Sequence, residues 1–379
     1  MIYFDNASTT KVSENVANEM VKYMVSCYGN PSSVHKIGQQ ARTALQSARR
    51  RIASCLGAMS DDEIYFTSGG SEADNQAIIS VARSSKKGKH IISSKFEHHA
   101  VLHTLEKLKA EGFEIELLDV NENGVINPSQ VADAIREDTC LVTIMYANNE
   151  VGTIQPIGEI GKICREKGVL FHTDAVQAVG HIPIDVNAQN IDLLSLSAHK
   201  FHGAKGVGVL YARKGIPILS IIEGGGQEHG KRGGTENVPA IMGMATALED
   251  ACGHMEENME KVTALRNRLI EGLSKIPNSY LNGDAEKRVP GTVNFSFENV
   301  EGESLLILLD EKGICASTGS ACTSGSLEPS HVLLAMGRTY ELAHDSIRFS
   351  LCEYNTEEEV DCVIRAVEEV VAYIRGLRG

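Results

Sequence analysis

The sequence has no apolar run that could cross a membrane. Its apolar runs are short, as at Leu305–Leu309, whereas a transmembrane helix needs roughly 18 apolar residues or more. The first eleven residues, MIYFDNASTTK, also lack the basic start and the apolar middle of a signal peptide. We therefore predict a cytoplasmic protein.

Basic residues are scarce relative to acidic ones. The 36 lysine and arginine residues against 50 aspartate and glutamate residues give a formal net charge of −14. Because an acidic surface repels phosphate backbones and anionic lipids, neither nucleic acid nor membrane is the expected main partner. A hydrophobic fraction of 42% excludes extensive disorder. A chain of 379 residues suggests two domains at about 150 residues each.

Closely spaced cysteine pairs are absent as well. The chain has nine cysteines, an odd number, and none of them forms a C-x-x-C pair. This spacing argues against a zinc or thioredoxin-like site, so we predict no intrinsic metal site. In a reducing cytoplasm most of these cysteines are expected to be buried and inert, including Cys315 in its apolar strand.

Cys322 is the expected exception. Residues 317–326 read STGSACTSGS and contain no bulky apolar side chain that could pack against a core. The glycines that flank the cysteine permit backbone motion. We therefore predict an accessible thiol on a mobile loop over residues 319–326.

Strand-like and helix-like segments alternate along the first two thirds of the chain, which predicts parallel βαβ units and an α/β fold. Helices are expected over 14–27, capped by Ser13, and over 38–56, ended by Gly57. The Gly-rich segment Ile222–Asn237 breaks the pattern and predicts a long ordered loop or a disordered lid. One or two helices over 240–275 follow. A smaller αβ set comes after them, with strands Val289–Phe297, Gly313–Ala316 and Ser346–Cys352, a helix near 302–312 and a final helix from about 356. The predicted strands before the Gly-rich segment are Ile64–Thr67, His90–Ser93, Ile115–Val120, Cys140–Tyr146, Val169–Thr173, Ile191–Leu196 and Val207–Tyr211.

Lys200 and Asp174 each follow a predicted strand. In α/β folds ligands usually bind at the carboxyl ends of the strands. A lysine there can form a covalent bond with a carbonyl cofactor, and a carboxylate can keep a pyridine nitrogen protonated. This is the pair that pyridoxal phosphate needs. Taken singly, a solvated loop lysine and a helix-capping aspartate are the ordinary alternatives.

A phosphate site is expected at the segment Thr67–Glu72, with the sequence TSGGSE, because it joins a strand to a helix. Glycines leave backbone N–H groups free there, and a helix N-terminus favours an anion. The signal is weak by itself, and no G-x-x-x-x-G-K-[ST] motif occurs in the chain.

The whole chain resembles the class V, fold-type I pyridoxal phosphate enzymes, and most closely the cysteine desulfurases of the NifS/IscS type. Order and spacing agree across many motifs. Two departures, Ser8 and Cys352–Tyr354, are expected to touch no residue that the chemistry requires. The matching motifs are Tyr3–Ala7, Gly29–Ser33, Thr67–Asn75, Glu97–His98, Asn148–Glu150, Asp174–Gln177, Ser197–Lys200, Arg232–Thr235 and Ser320–Ser324.

The resemblance implies a fold-type I α/β architecture. A large domain over 14–255 would hold the cofactor on a mostly parallel seven-stranded sheet. A smaller α+β domain would consist of residues 1–13 and 256–379 and would include the Cys322 loop.

The resemblance also assigns the residues that would contact the cofactor ring. Lys200 would hold the pyridoxal 5'-phosphate aldehyde and move the α-proton of the substrate. Asp174 would pair with the pyridine nitrogen, and Gln177 would bond to the 3-oxygen of the ring. His98 would stack on the ring and assist proton transfer. The alternative for His98 is a metal site with the nearby histidines His99 and His103, which we consider a minor one.

Further residues would bind the phosphate and the substrate by the same resemblance. Thr235 would reach the phosphate from the other subunit, so the protein is expected to be a homodimer. Asn149, which would also contact the cofactor, and Arg348 would bind the substrate carboxylate. The phosphate ligands from the same chain would be Gly70, Ser71, Ser197 and His199.

The implied reaction converts L-cysteine to L-alanine and leaves a persulfide on Cys322. The acceptor of the sulfur would be an iron–sulfur scaffold protein, with which Cys322 could transiently share a [2Fe–2S] cluster. Two alternatives stay open. Transaminases and selenocysteine lyases share the fold, although transaminases need no such thiol. A cluster scaffold would need several closely spaced cysteines, and only Cys315 and Cys322 are near each other.

Overall fold

The computed structural model describes residues 1–319 and 328–378. The predicted strands are confirmed with shifts of a few residues at their ends, and β1 and β9 are additional. Within the described residues the strands, in chain order, are β1 (Ile2–Tyr3), β2 (Ile64–Thr67), β3 (His90–Ser94), β4 (Glu114–Leu118), β5 (Thr139–Thr143), β6 (Leu170–Asp174), β7 (Leu193–Ser197), β8 (Gly208–Ala212), β9 (Ser279–Asn282), β10 (Thr292–Phe297), β11 (Ile314–Cys315) and β12 (Ser346–Ser350).

The helices begin and end largely where the sequence signals them. The Ser13 hydroxyl accepts a hydrogen bond from the Val16 amide and caps α1, and Gly57 ends α2 with a left-handed φ of 69°. Within the described residues the helices are α1 (Glu14–Val25), α2 (Lys36–Leu56), α3 (Gly70–Ser84), α4 (His99–Ala110), α5 (Pro128–Ala134), α6 (Ile157–Glu166), α7 (Val238–Gly253), α8 (Met255–Leu273), α9 (Gly302–Glu311), α10 (His331–Ala335), α11 (Tyr340–His344) and α12 (Glu357–Arg378).

The main sheet has seven strands in the order β2-β8-β7-β6-β5-β3-β4. The five strands from β7 to β4 are parallel, whereas β8 is antiparallel to both of its neighbours. The connection between β7 and β8 is too short for a crossover, so β8 returns antiparallel. The mostly parallel seven-stranded sheet is therefore confirmed. The segment between β6 and β7 differs from expectation, because it contains turns and no helix.

A second sheet, in the order β12-β10-β9, is antiparallel, and β1 pairs with β11 in a parallel ladder. Phe295 and Phe349 from this sheet lie in a core of their own with residues from α8, α9 and α12. Phe4, near the start of the chain, lies in the same core. The exact domain limits at residues 13 and 255 stay a prediction.

The Gly-rich segment Ile222–Asn237 is an ordered loop. The buried Glu228 carboxylate accepts two hydrogen bonds from the Arg49 guanidinium, at 2.9 and 2.7 Å, and one from the Phe66 amide at 2.8 Å. The ion pair with Arg49 fixes the loop to α2, and the hydrogen bond from the Phe66 amide fixes it to β2. Among the described helices, none is both long enough and apolar enough to span a membrane.

Candidate active site

A cavity of about 330 Å³ opens at the carboxyl ends of β6 and β7. Ten of the predicted site residues line it, although they come from six different segments of the chain. Parallel strands place their carboxyl ends on one edge of the sheet, which brings these segments together. The ten residues are Gly70, Ser71, His98, Asn149, Asp174, Gln177, Ser197, His199, Lys200 and Arg348.

Lys200 lies on a single helical turn, Ala198–Lys200, that directly follows β7. Its ammonium group donates hydrogen bonds to the backbone carbonyls of Ala7 and Ser8, at 2.6 and 2.9 Å. The segment before α1 thus holds the lysine at the cavity. Sequence reasoning did not predict these two backbone contacts.

Asp174 is the last residue of β6, beside Ser195 of β7 in the parallel ladder. Its side chain accepts a hydrogen bond from the Val176 amide at 2.9 Å, and burial raises the pKa of its carboxyl. Gln177, one turn further on, donates to the Ala7 carbonyl at 3.0 Å. Asp174 and Lys200 therefore face one cavity from adjacent strands, as predicted.

Asp74 is a cavity residue that the sequence analysis missed. It lies on α3, its carboxyl is buried, and the Oδ1 atom makes no hydrogen bond. Burial, together with the nearby charge of Asp174, raises its pKa well above the usual range. An acidic residue four positions after Gly70, on the same face of the helix, was the available signal.

The predicted phosphate corner lies at the start of α3. The helix begins at Gly70, and no side chain caps its first N–H groups. A Cβ atom at Gly70 would lie 2.6 Å from Cγ2 of Val176, so only glycine fits there. Ser197 ends β7 beside this corner, and His199 lies two residues further on, with its ring 3.2 Å from the Thr9 hydroxyl. Free N–H groups and the helix dipole make this corner an anion site.

His98 caps α4 from the edge of the cavity. Its Nδ1 atom accepts a hydrogen bond from the Ala100 amide at 3.1 Å. Burial, with a smaller contribution from the charge of Lys200, lowers its pKa to about 4. The ring is therefore neutral near pH 7. His99 and His103 have ring centroids 5.0 Å apart, but among the described residues neither belongs to a metal-ligand cluster.

Arg348 lies on β12 and is 2% exposed. Its Nη1 donates to the backbone carbonyl of Asn149 at 2.8 Å, and its Nη2 donates to Asp5 at 3.1 Å and to the Ser8 hydroxyl at 2.6 Å. The Nε atom is buried without a hydrogen-bond partner. The expectation that Ser8 touches none of the required residues is wrong, because it contacts both Arg348 and Lys200.

Two predicted residues lie elsewhere. Thr235 is exposed on the ordered loop, in a small depression with Ser68, and does not line the cavity of its own chain. Cys322 and the rest of its loop after Gly319 fall outside the described residues, so the predictions about them are not addressed by the structure. Gly319 itself lines the cavity. Cys315 is partly exposed rather than fully buried.

These residues fit pyridoxal phosphate. A lysine is present for the aldehyde, a buried carboxylate for the ring nitrogen, and an uncapped helix N-terminus for the phosphate. The unpaired Nε of Arg348 offers a further buried donor to an anionic ligand.

Comparison with known proteins agrees with this chemistry. The sequence matches the aminotransferase class-V family over residues 2–363. It is 53% identical over 377 residues to the cysteine desulfurase IscS of Methanosarcina thermophila, which covers 99% of this chain and 93% of that relative. A solved NifS-like protein is similar with a TM-score of 0.92 and 41% identity, over 98% of this chain and 99% of that one.

A further solved structure, of SspA in complex with cysteine, has a TM-score of 0.82 and 38% identity, over 94% of this chain and 100% of that one. These similarities extend over nearly the whole chain, so they confirm the predicted fold-type I architecture. They also confirm pyridoxal 5'-phosphate as the cofactor. The chain belongs to the aminotransferase class-V family, among its NifS- and IscS-type cysteine desulfurases.

Proposed function

We propose that the protein converts L-cysteine to L-alanine and delivers the sulfur, held as a persulfide, for iron–sulfur cluster assembly. Relatives with about half of their residues identical are named cysteine desulfurase IscS, and one similar solved structure is a complex with cysteine. The observation that supports the chemistry most directly is the placement of Lys200 and Asp174 at one cavity that Gly319 also lines.

Each of the cavity residues would bind a different part of the cofactor. Asp174 would keep the ring nitrogen protonated, Gln177 would bond to the 3-oxygen, and Lys200 would hold the aldehyde. The first turn of α3, with Ser71 and Ser197, would hold the phosphate. When bound, pyridoxal phosphate supplies a sink for the electron pair left on the α-carbon of the substrate.

Arg348 is suited to the substrate carboxylate. Burial in a low-dielectric site strengthens its attraction for an anion. Its Nη atoms are already oriented by Asp5, Ser8 and the Asn149 carbonyl, while Nε has no partner. The Asn149 side chain lines the same cavity and would provide the second contact.

Lys200 would move the α-proton. Two backbone carbonyls, of Ala7 and Ser8, fix its Nζ atom on one side of the cavity. Because the amine is already positioned, less entropy is lost when the reactive geometry forms. Such positioning accounts for a large part of enzymatic rate enhancement. His98, neutral because of its lowered pKa, can hold or pass a single proton at Nε2.

Cys322 is the proposed nucleophile for the substrate sulfur. Its thiolate would form the S–S bond as the C–S bond of the substrate breaks, which leaves the persulfide. Cys322 follows Gly319 by three residues, and covalent geometry limits their Cα separation to about 11 Å. Cys322 itself lies outside the described residues, and the assignment is supported by Gly319, three positions earlier in the chain, which lines the cavity.

The proposed homodimer would complete the phosphate site. Thr235 does not line the cavity of its own chain and is exposed. The Glu228–Arg49 ion pair holds the loop that presents it. Such a fixed, exposed hydroxyl can serve a neighbouring subunit.

The test is a product assay on the purified, cofactor-loaded protein. L-Cysteine is expected to yield equal amounts of L-alanine and of sulfur, recovered as protein-bound persulfide without a reductant and as sulfide with one. In parallel, an amino donor and a 2-oxo acid test for transamination. Transamination without sulfur release would refute the proposal, and so would a strict dependence on selenocysteine.

A further inference from the structure

Outside the cavity, three side chains with metal-ligand atoms meet. They are His202, Cys352 and Glu353, and one ligand atom from each lies within 4.8 Å of the others. The Nε2 atom of His202 lies 3.3 Å from Oε1 of Glu353. His202 and Cys352 are each 7% exposed, whereas the Glu353 side chain is 24% exposed, so the cluster is partly shielded from water.

The orientation of the His202 ring points its Nε2 atom at the cluster. Its Nδ1 atom lies 2.8 Å from the backbone carbonyl of Lys11. A carbonyl oxygen can only accept, so Nδ1 carries a proton. The buried Nε2 atom faces Oε1 of Glu353 at 3.3 Å, so without an ion these two groups pair with each other, and a cation would take the place of the proton between them. A backbone carbonyl behind Nδ1 is how metal-binding histidines are usually held.

The backbone around the cluster is fixed in advance. His202 has a φ of 64°, a conformation that non-glycine residues rarely adopt, and its amide donates to the Thr10 hydroxyl at 2.8 Å. The Cys352 amide donates to the Asn355 side chain at 2.9 Å. The Tyr354 ring packs edge-on against the His202 ring with centroids 5.0 Å apart. The three ligand groups therefore need little rearrangement to converge.

We propose that His202, Cys352 and Glu353 form a binding site for a divalent, borderline-soft cation, of which Zn²⁺ is the best match. Zinc takes thiolate, imidazole and carboxylate ligands. Bond lengths of 2.0–2.3 Å in a tetrahedron place the ligand atoms about 3.3–3.8 Å apart, and the Nε2–Oε1 distance of 3.3 Å falls in that range.

The charge and the surroundings suit such an ion. A thiolate and a carboxylate together balance the two charges of Zn²⁺, so the loaded site is neutral and its burial costs little. The cluster also lines a second cavity, of about 1010 Å³. Water from this cavity would supply the fourth ligand of a site with three protein ligands.

The position of the cluster suggests a structural purpose. His202 follows Lys200 by two residues, and Cys352 follows Arg348 by four. A bound ion would link the turn with the cofactor lysine to the segment after the strand with the carboxylate-binding arginine. It would thereby fix the smaller sheet to the main one.

The experiment measures zinc in the full-length, cofactor-loaded protein. Samples are stripped with a chelator, given one equivalent of Zn²⁺, passed through gel filtration and analysed by mass spectrometry for metal content. All variants are made with Cys322→Ser, which removes the reactive thiol as a competing ligand. Cys352→Ser and Glu353→Gln each delete one ligand, and Cys362→Ser, which alters an exposed cysteine on α12, is the control.

We expect about one zinc per chain in the parent and in Cys362→Ser, and loss of most of the retained zinc in Cys352→Ser and Glu353→Gln, because each variant keeps only two of the three protein ligands. X-ray absorption at the zinc edge should show one sulfur at about 2.3 Å with nitrogen and oxygen neighbours at about 2.0–2.2 Å. Should Cys352→Ser fail to fold, Glu353→Gln decides, because its side chain is 24% exposed and the substitution keeps its size. A parent that retains no zinc would overturn the proposal, as would undiminished zinc in the two ligand variants.

Discussion

The Ser8 hydroxyl accepts a hydrogen bond from Nη2 of Arg348 at 2.6 Å and donates one to Oδ1 of Asp5 at 2.7 Å. One small hydroxyl thus connects the proposed carboxylate-binding guanidinium to its partly exposed counter-charge, Asp5. The neighbouring Ser8 carbonyl also accepts from Lys200. The residue that departs from the family motif therefore contacts two residues that the reaction uses.

Ser8→Ala tests whether this hydroxyl positions Arg348. A hydrogen bond to a charged group contributes about 1.5 kcal/mol or more, but Asp5 and Asn149 still hold the guanidinium. We expect KM for L-cysteine to rise about 5-fold and kcat to change less than 2-fold, measured by alanine formation. Ser8→Thr keeps the hydroxyl and should restore KM. Equal KM values in all three proteins would show that Ser8 is not a positioning residue.

Lys200→Ala should abolish turnover, because no other lysine lines the cavity within the described part of the chain. Removing a positioned proton carrier costs on the order of 10²–10⁴ in kcat, and the loss of the covalent link to the cofactor adds to this. The visible absorbance of the bound cofactor should change as well. Lys205→Ala, which alters an exposed lysine five residues further on, is the control. A Lys200→Ala variant with unchanged spectrum and turnover would refute the assignment.

Cys322→Ala should separate cofactor binding from sulfur chemistry. We expect normal cofactor content and normal spectral change with L-cysteine, together with loss of alanine and sulfide production. Intact-protein mass spectrometry should find one added sulfur atom in the parent after a single turnover and none in this variant. Cys362→Ala should behave like the parent. An active Cys322→Ala variant would move the nucleophile to another cysteine.

Thr235→Ala should weaken cofactor binding although Thr235 does not line the cavity of its own chain. A lost hydrogen bond to a charged phosphate corresponds to an affinity about tenfold lower. The protein should remain a dimer in analytical ultracentrifugation, and Thr43→Ala, at an exposed position on α2, should bind cofactor normally. A parent protein that is a monomer with full cofactor occupancy would contradict the shared site.

Glu97 should make stability depend on pH. Burial and the charge of Asp174 raise its pKa to about 8, so the folded state binds a proton that the unfolded state releases near pH 4.5. Its stabilising contribution is therefore complete below about pH 4.5 and is lost as the pH rises towards 8. Chemical denaturation should show the parent losing on the order of 3–4 kcal/mol between pH 5 and pH 8 relative to Glu97→Gln. The exposed control Glu106→Gln should show the same dependence of stability on pH as the parent. If the stability of all three proteins depended on pH in the same way, the raised pKa of Glu97 would be refuted.

Local sequence pattern was sufficient for most of the fold and for the central site residues. Apart from the partly exposed edge strand β4, the strands of the main sheet are largely buried on both faces, so each is a short apolar run that can be recognised in isolation. Lys200 and Asp174 follow such strands, and the start of α3 is marked by its glycines. These are local features, set by the backbone and by neighbours in the chain.

The meeting of Asp74 with Asp174 and the contact of Ser8 with Arg348 depend on tertiary structure. The cluster of His202 with Cys352 also depends on tertiary structure. These two residues are separated by 150 positions in the chain, whereas sequence motifs for metal sites consist of ligands that lie close together in the chain. Periodicity determines which face of an element is apolar. Which polar side chains then meet is decided by how the two sheets pack, because that packing brings together residues that the sequence keeps far apart.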